Sequence, residues 1–496
     1  MASAIPRRVR WYNLAAYGSN DVLGAGSMAV ISTWVLFFYT TFCGLSVGEA
    51  GMIFFVARIL DAFTSPLIGY LSDNLGQSWL GRTFGRRRFF ILLAIPLLPS
   101  FALMWIAGQT FYYYLVTYCL FEMIYAMEII PYETLAAEMS TDYRTKAKFA
   151  GARIFCGQIS AVGAAFLPKW LIEYLGKDTP DTYFYMGAIF AGLFMLAAGL
   201  VFAFSWERAR PPELEAPARR GAFAAFVQLY RNLFSTLRIR AFRLHLGMYL
   251  GGYISQDIYN AAFTYFVVFA LAGSAAIVGD LVGVTYIVQL VAVVLAINFA
   301  LRMSPAIAYR LAALSFAIGV IVFIAMYAAG YTATASLFWL PVVLAGLGRG
   351  ALNYIPWATY NYMADVDEIV TGKRREGAFA GVMTFVRKVS QAAAVVLVTQ
   401  LMGAYGFVSS AKTQSPQAIA AIVGVLGIGT LAMLGFGVLV SLRFRLNPHT
   451  HAVLMDEIER FRADPGTTPS SPENRAIVED LSGWRYEQLW GRNPVA

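Results

Sequence analysis

Charge is what this sequence has least of. Asp, Glu, Lys and Arg make up 14% of its 496 residues, against about 25% in an ordinary soluble domain. Hydrophobic residues make up 58%, and the mean hydropathy is +0.59. That balance excludes a soluble enzyme and a disordered chain. Cysteine is nearly absent. Cys43, Cys119 and Cys156 all lie in apolar stretches, so no disulfide framework is indicated. Histidine is as rare: His245, His449 and His451 form no convincing metal set. No Gly-Lys-Ser/Thr phosphate loop occurs, which leaves ATP-driven transport unsupported. No nucleophile–base pair or metal cluster is apparent either, so an intramembrane enzyme is disfavoured and no cofactor is expected.

What is abundant is apolar sequence in runs of about 20 residues, the length that spans a bilayer as a helix. Twelve such helices are predicted, at about 14–42, 47–72, 89–109, 111–139, 150–175, 182–205, 244–271, 276–300, 308–329, 334–363, 377–403 and 416–442. The run after Arg7, Arg8 and Arg10 is long and has no small-residue cleavage site, so it reads as a retained helix. The basic residues then fix orientation. About 30 of the 38 Lys and Arg fall in the two termini and the even-to-odd connections, the pattern of cytoplasmic segments. Only Lys177 and Lys412 fall in the opposite set of connections. Both termini are therefore expected in the cytoplasm. The formal net charge of +9 reflects topology and calls for no nucleic acid; contact of the basic face with anionic lipid is secondary.

The expected organisation is an N-terminal six-helix half (1–205), a charged, Pro-containing cytoplasmic linker (206–243), a C-terminal six-helix half (244–442) and a cytoplasmic tail (443–496) with a short helix near 449–462 and a Pro/Ser/Thr linker at 465–472. The halves carry a repeat. Helix 4 ends Ile130-Pro131-Tyr132-Glu133-Thr134 and helix 10 ends Ile355-Pro356-Trp357-Ala358-Thr359, with Asp142 and Asp367 at the same distance beyond. Phe149-Ala150-Gly151 opens helix 5 and Phe379-Ala380-Gly381 opens helix 11. Two six-helix repeats about an axis along the membrane normal describe the major facilitator architecture, an all-α membrane fold with its substrate site at the midplane between the halves.

Ionisable side chains inside such helices are expensive and mark function by default. The set is Asp21, Arg58, Asp61, Glu122, Glu128, Glu133, Arg153, Lys169, Asp257, Arg349, Arg387 and Lys388. Arg58 and Asp61 share a helix face and are placed to pair; Asp61 sits where a cation or proton can bind. Asp21, in Gly18-Ser19-Asn20-Asp21, either caps and lines helix 1 or accepts a substrate hydroxyl. Tyr125 and Glu128 share a face of helix 4 near Pro131, whose kink frees backbone groups. Arg153 and Lys388 are counter-charges. Helix 7 offers Gln256 and Asp257; helix 10 offers Arg349, Asn353 and Trp357. Polar groups among aromatics suit a sugar, whose hydroxyls hydrogen-bond and whose apolar face stacks; polar glue between helices is the plainer alternative. The 2/3 connection carries Asp73, then Arg82, Arg86 and Arg87. An acid followed by arginines forms a charge network able to latch one conformation; positive-inside anchoring is the alternative.

The stretch Val56-Ala57-Arg58-Ile59-Leu60-Asp61-Ala62-Phe63-Thr64-Ser65-Pro66-Leu67-Ile68-Gly69 resembles the helix-2 signature of the glycoside–pentoside–hexuronide:cation symporters, the melibiose-carrier branch of the major facilitator superfamily. The resemblance extends through Gly44-Leu45-Ser46, the arginine-rich loop, Ile130-Pro131-Tyr132, Arg153 and Lys388. Ala137-Glu138-Met139-Ser140-Thr141-Asp142-Tyr143 and Leu167-Pro168-Lys169 look like a subgroup associated with uronides or oligogalacturonides. By resemblance, Asp61 falls on the cation-site acid, Arg153 on a sugar-site arginine, Lys388 on the helix-11 lysine, and Asp21 close to the helix-1 sugar acid. Where sodium-binding members carry an Asn and a second Asp, this chain has Thr64 and Ser65. Ala126 takes the place of the helix-4 hydroxyl ligand. The helix-4 sugar acid falls on Ile129, with Glu128 beside it.

One carboxylate and two hydroxyls make a poor sodium cage, whereas one carboxylate can carry a proton. The expected function is therefore import of a sugar, glycoside or uronide across the inner or plasma membrane by H+ symport, with Na+ as the alternative ion. Asp61, Arg58, Lys388, Thr64 and Ser65 would form the coupling site. The substrate would be a small molecule and the protein a monomer. Transport of a lipid-like amphipathic solute and a non-transporting membrane sensor are the other readings.

Overall fold

A computed structural model describes residues 9–140, 142–175, 178–207, 231, 234–300, 304–333, 336–360, 362–372, 375–464 and 468–492. Most of the expected linker, part of 465–472 and the side chain of Asp73 lie outside the described residues. The described chain is helical. Its long helices are α1 (Trp11–Thr41), α2 (Val47–Asn74), α3 (Arg88–Leu103), α4 (Phe111–Met139), α5 (Tyr143–Leu175) and α6 (Pro180–Phe204). They continue with α7 (Arg240–Tyr265), α8 (Ala275–Ala300), α9 (Pro305–Ala328), α10 (Trp339–Tyr360), α11 (Glu376–Ala404) and α12 (Pro416–Ser441). Two tail helices follow, α13 (Pro448–Ala463) and α14 (Pro472–Ser482). Among the described residues, nine of these helices are long and apolar enough to cross a membrane. The helices α3, α7 and α10 fall short of that standard, α3 by its length.

Local sequence explains the helix starts. Ser46 caps α2 in a capping box with Glu49, the serine hydroxyl accepting from the Glu49 amide and the carboxylate accepting from the Ser46 amide at 2.8 Å. Such reciprocal bonds satisfy donors that a helix start leaves orphaned. Gly44, at φ +71°, supplies the left-handed turn just before it. Thr110, Ser304, Asn447 and Ser471 cap α4, α9, α13 and α14 in the same way, with proline at the first helical position of the last three, where its missing N–H is harmless. Helix α1 is wound more loosely than an α-helix over Val22–Gly26 and Ile31–Val35, where it adopts π geometry. Such π turns occur mostly at functional sites, and the first begins directly after Asp21.

The chain divides into two compact units. The first comprises Met1–Arg219 with Phe263–Tyr286 and Val395–Ile422; the second comprises Arg220–Ala262, Ile287–Ala394 and Val423–Ala496. In the first, the end of α7 is stitched to α1, the start of α8 to α5, and α11 lies against α2, where a Cβ on Gly51 would meet Thr399. Thr40 and Tyr265 share a hydroxyl hydrogen bond of 2.9 Å, the Thr264 hydroxyl donates to the Thr33 carbonyl, and Lys169 bonds Asp280 at 2.7 Å. In the second, α9 and α10 pack through small residues: a Cβ on Gly348 would stand 2.4 Å from the Phe316 amide nitrogen. Backbones approach this closely in membrane proteins because dispersion, not water exclusion, holds helices together there.

The tail is more ordered than the expected single short helix. The helices α13 and α14 dock on the short helix Met363–Thr371 that follows α10. His451 meets Asp365 at 2.9 Å, Arg462 bonds Glu368, and the amides of Trp490 and Gly491 donate to the carbonyls of Ile369 and Val370. Phe461 stacks on Trp490.

Candidate functional site

The first polar cluster is built around Arg153 of α5. Its Nε donates to Asp21 of α1 at 3.0 Å, and Nη2 donates to Glu133 of α4 at 2.7 Å. The guanidinium lies over the Tyr132 ring, 5.6 Å from its centroid, and the Tyr132 hydroxyl donates to the carbonyl of Tyr17 on α1. Three helices are thus tied at one arginine. Close helix approach makes this possible: a Cβ on Gly157 would stand 2.3 Å from Asp21 Oδ2, and one on Gly18 would stand 2.8 Å from the Ala152 carbonyl. The cluster is graded from dry to open. The Asp21 side chain is 11% exposed, Arg153 32% and Glu133 44%, so an incoming polar solute can reach the arginine edge. Behind it, Asn20 and Glu128 are fully buried and lie against each other. Neither the Asn20 carboxamide nor the Glu128 carboxyl completes a well-formed hydrogen bond among the described residues. Buried polar groups are nearly always satisfied, which makes this pair a candidate part of the site.

The second cluster is drier. Arg58, Asp61 and Glu122 are all buried, with side chains at most 4% exposed. Arg58 Nη1 stands 3.3 Å from Glu122 Oε2 and 4.0 Å from Asp61 Oδ2, and its guanidinium lies over the Phe54 ring. The helical spacing of Arg58 and Asp61 does bring them together, but the shorter contact reaches across to α4. Ser65 donates to Asp61 Oδ1 at 2.9 Å, and the Thr64 hydroxyl turns back to the Asp61 carbonyl at 3.4 Å. Tyr125 is within electrostatic reach of Asp61 and Arg58 and also of Glu133, so it lies between this group and the Arg153 cluster. Here a carboxyl is held by a hydroxyl and an arginine in a water-poor place.

The second unit holds a third cluster. Arg387 of α11 grips Asp257 of α7 through both terminal nitrogens, at 2.6 and 2.8 Å. Its guanidinium lies over Tyr253, whose hydroxyl accepts from Trp357 Nε1 at 3.1 Å. Arg349 of α10 donates to Asn260 at 2.7 Å and to Gln256 at 3.4 Å, and lies over the rings of Tyr259 and Phe316. Asn353 joins Gln256 to Gln289. Lys388 is half-buried beside Arg387.

The arginines after α2 meet acids that lie far along the chain. Arg86 bonds Glu138, Arg87 Nη1 bonds Glu138 at 2.9 Å, and the backbone amides of Arg87 and Arg88 donate to Glu207 at 2.9 and 2.8 Å. Arg82 is exposed. Among the expected site residues, the structure brings together Asp21 with Arg153, Asp61 with Arg58 and Ser65, and Gln256 with Arg349 and Asn353. Sequence reasoning left Asn20, Glu122, Glu133, Glu138, Glu207, Gln289 and Arg387 out of the site. Glu122, Glu133 and Arg387 carried a signal, being ionisable residues inside apolar helices. Glu138 and Glu207 carried none, since they lie at helix ends among other charges.

Comparisons with known proteins agree in kind. A family model described as MFS/sugar transport protein matches residues 16–448. A glucuronide carrier protein homolog of Escherichia coli is 24% identical over 434 residues, covering 84% of this chain and 88% of that protein. A putative sulfoquinovose importer of Salmonella typhimurium is 23% identical, covering 95% of this chain and 96% of that protein. An isoprimeverose transporter of Lactiplantibacillus pentosus is 26% identical over 40% of this chain and 43% of that protein. Among solved structures, a proton-dependent oligopeptide transporter aligns with a TM-score of 0.63 at 13% identity, over 90% of this chain and all of that one. A bacterial homolog of the human lysosomal transporter Spinster aligns with a TM-score of 0.61 at 15% identity, over 89% and 100%. Those two likenesses concern the fold alone.

Proposed function

Because the chain belongs to the MFS/sugar transport protein family, with glycoside–pentoside–hexuronide symporters among its relatives, we propose that it imports a sugar, glycoside or uronide together with a proton. It is an integral membrane protein of the transporter class and not an enzyme. The finer reading has twelve spans in two six-helix halves, 1–205 and 244–442, with both termini cytoplasmic and transport by alternating access.

One observation carries the proposal: the first unit keeps two separate acid–arginine groups. The group at Arg153, Asp21 and Glu133 is partly open and has hydrogen-bonding edges to spare, which suits sugar hydroxyls. The group at Asp61, Arg58 and Glu122 is closed, which suits a proton. Coupling needs both: substrate and proton must favour the same conformations, or one gradient cannot drive the other. The oxygens around Asp61 argue for H+ over Na+. Besides its own carboxyl, the side chains of the helix-2 motif offer only the hydroxyls of Thr64 and Ser65, a small set of oxygens for a sodium ion. Arg86, Arg87 and Glu138 form a charge network that suits a conformational latch.

The test is external pH in a weakly buffered, sodium-free suspension of cells expressing the protein, with glycosides and uronides added singly. Transporter-dependent alkalinisation is expected with a substrate. Silence that sodium relieves would replace H+ by Na+. Silence in both media, with no substrate exchange in proteoliposomes, would overturn the function itself.

A further inference from the structure

The ionisable groups deep inside the helices are not shared evenly. Among described residues at least eight positions from either end of their helices, the first unit has Asp21, Asp61, Glu122 and Glu128 against Arg58 and Arg153. The second has Asp257 against Arg349, Arg387 and Lys388. One unit carries a surplus of carboxylates and the other a surplus of cations. Charge inside a membrane helix is costly and persists where it meets a charge of opposite sign. The carboxyl-rich unit is suited to a cation or proton. By the same reasoning the cation-rich unit is suited to an anion.

We propose that the Arg387 cluster of the second unit recognises a carboxylate on the transported sugar, with Arg387 as the residue that distinguishes a uronide from a neutral glycoside. This rests on the sugar-transport reading above and narrows its substrate class. Arg349 is the less accessible of the two arginines: it is buried, bonded to Gln256 and Asn260, and covered by two aromatic rings. Arg387 is different. Asp257 takes one hydrogen bond from each terminal nitrogen, and a guanidinium has five N–H donors in a rigid plane. The side chain is 19% exposed, whereas Asp257 is 4% exposed. Asp257 at its edge and Tyr253 against its face therefore fix the guanidinium plane, and Asp257 takes only two of its five N–H groups. Asp257 acts as a positioning residue. The first unit has a related arrangement: an acid on α1 and an arginine on α5, with the tyrosine ring supplied by α4 where the second unit draws it from α7. There a second carboxylate, Glu133, takes one N–H of the arginine. In the second unit the carboxylate of the substrate would take that place.

The experiment uses purified full-length protein in proteoliposomes, reading exchange of p-nitrophenyl β-D-glucuronide against p-nitrophenyl β-D-glucoside, with the galacturonide–galactoside pair alongside. Exchange needs no ion gradient, and it is run both with and without sodium so that either coupling ion is present. The wild type is expected to prefer the uronide of at least one pair. The double variant Asp257→Asn/Arg387→Gln removes the ion pair without stranding either charge. Its uronide-over-glycoside ratio is expected to fall by about 10–100-fold, the range for losing a charge-assisted hydrogen bond. An unchanged ratio overturns the proposal. If the double variant is inactive on both, Arg387→Lys decides: it keeps the charge and loses the fork, so weaker uronide than glycoside binding supports the assignment, and equal weakening overturns it. A wild type that exchanges glycosides but no uronide refutes the carboxylate site and leaves sugar transport standing. Exchange of neither overturns the transport reading and this inference with it.

Discussion

Replacing Gly157 by alanine tests the Arg153 cluster without removing any polar group. The added Cβ would stand 2.3 Å from Asp21 Oδ2 and 3.1 Å from the Ala25 Cβ. Ordinary contact begins at 3.4 Å, so the carboxylate must retreat by about 1 Å, which takes a 3.0 Å hydrogen bond out of bonding range. The bond at stake is the one that the other oxygen, Oδ1, accepts from Arg153 Nε. A hydrogen bond to a charged group contributes about 1.5–3 kcal/mol, or roughly 10–100-fold in an equilibrium constant. Helix propensity works in the other direction: Gly→Ala inside a helix favours the helix by about 1 kcal/mol, so α5 itself is not weakened. The control is Gly163→Ala on the same helix, where an added Cβ meets nothing within 4 Å. Substrate affinity would be read from the concentration dependence of exchange in proteoliposomes. G157A is expected to lose about 10–100-fold and G163A to match the wild type. Wild-type affinity in G157A would refute the assignment of Asp21 and Arg153 to substrate. An equal loss in both variants would trace the effect to helix packing instead.

Other consequences follow from the same geometry. Asp61→Asn should abolish proton-driven accumulation while sparing exchange, since a carboxamide offers no titratable proton; accumulation at the wild-type level in that variant would exclude Asp61 as the coupling group. Glu122→Gln removes the closer of two carboxylates from buried Arg58, and breaking a buried pair costs about 3–5 kcal/mol; a clear fall in the thermal midpoint in detergent is expected, and no shift would show that Asp61 alone suffices for Arg58. The tail should loosen in acid. Burial by itself would raise the carboxyl of Glu457, but hydrogen bonds from the Ser470 and Tyr486 hydroxyls and the Ser470 amide, with Arg460 nearby, outweigh it and hold the group below its usual range. A depressed carboxyl contributes stability above its unfolded value of about 4.3, lost as pH falls through the lower folded value. Amide exchange across α13 should therefore rise only in that acid window, and Tyr486→Phe should move the rise to higher pH; a profile identical to the wild type would discount the Tyr486 bond.

The length of each apolar run and the placement of basic residues were readable along the chain, because bilayer thickness and the cost of moving charge act on composition before any tertiary contact forms. The duplicated proline segments were readable too, as Pro131 and Pro356 each sit inside a long helix. So was the list of groups that needed partners, since any ionisable residue in an apolar run needs one. Which partner each group takes was decided only by the packed helices. Periodicity identifies neighbours three or four residues apart, and it placed Arg58 beside Asp61. It cannot say how a helix is rotated or how deep it sits against the next, and those two variables set every contact between helices. Hence Arg58 lies closer to Glu122 than to Asp61, Arg153 holds Glu133 as well as Asp21, Arg387 grips Asp257, and Glu138 and Glu207 hold the arginines after α2. The docking of α14 was hidden for the same reason. A short polar helix gives little signal of its own, and what orders it is the surface of Met363–Thr371 and the ring of Phe461, which come together only in the fold.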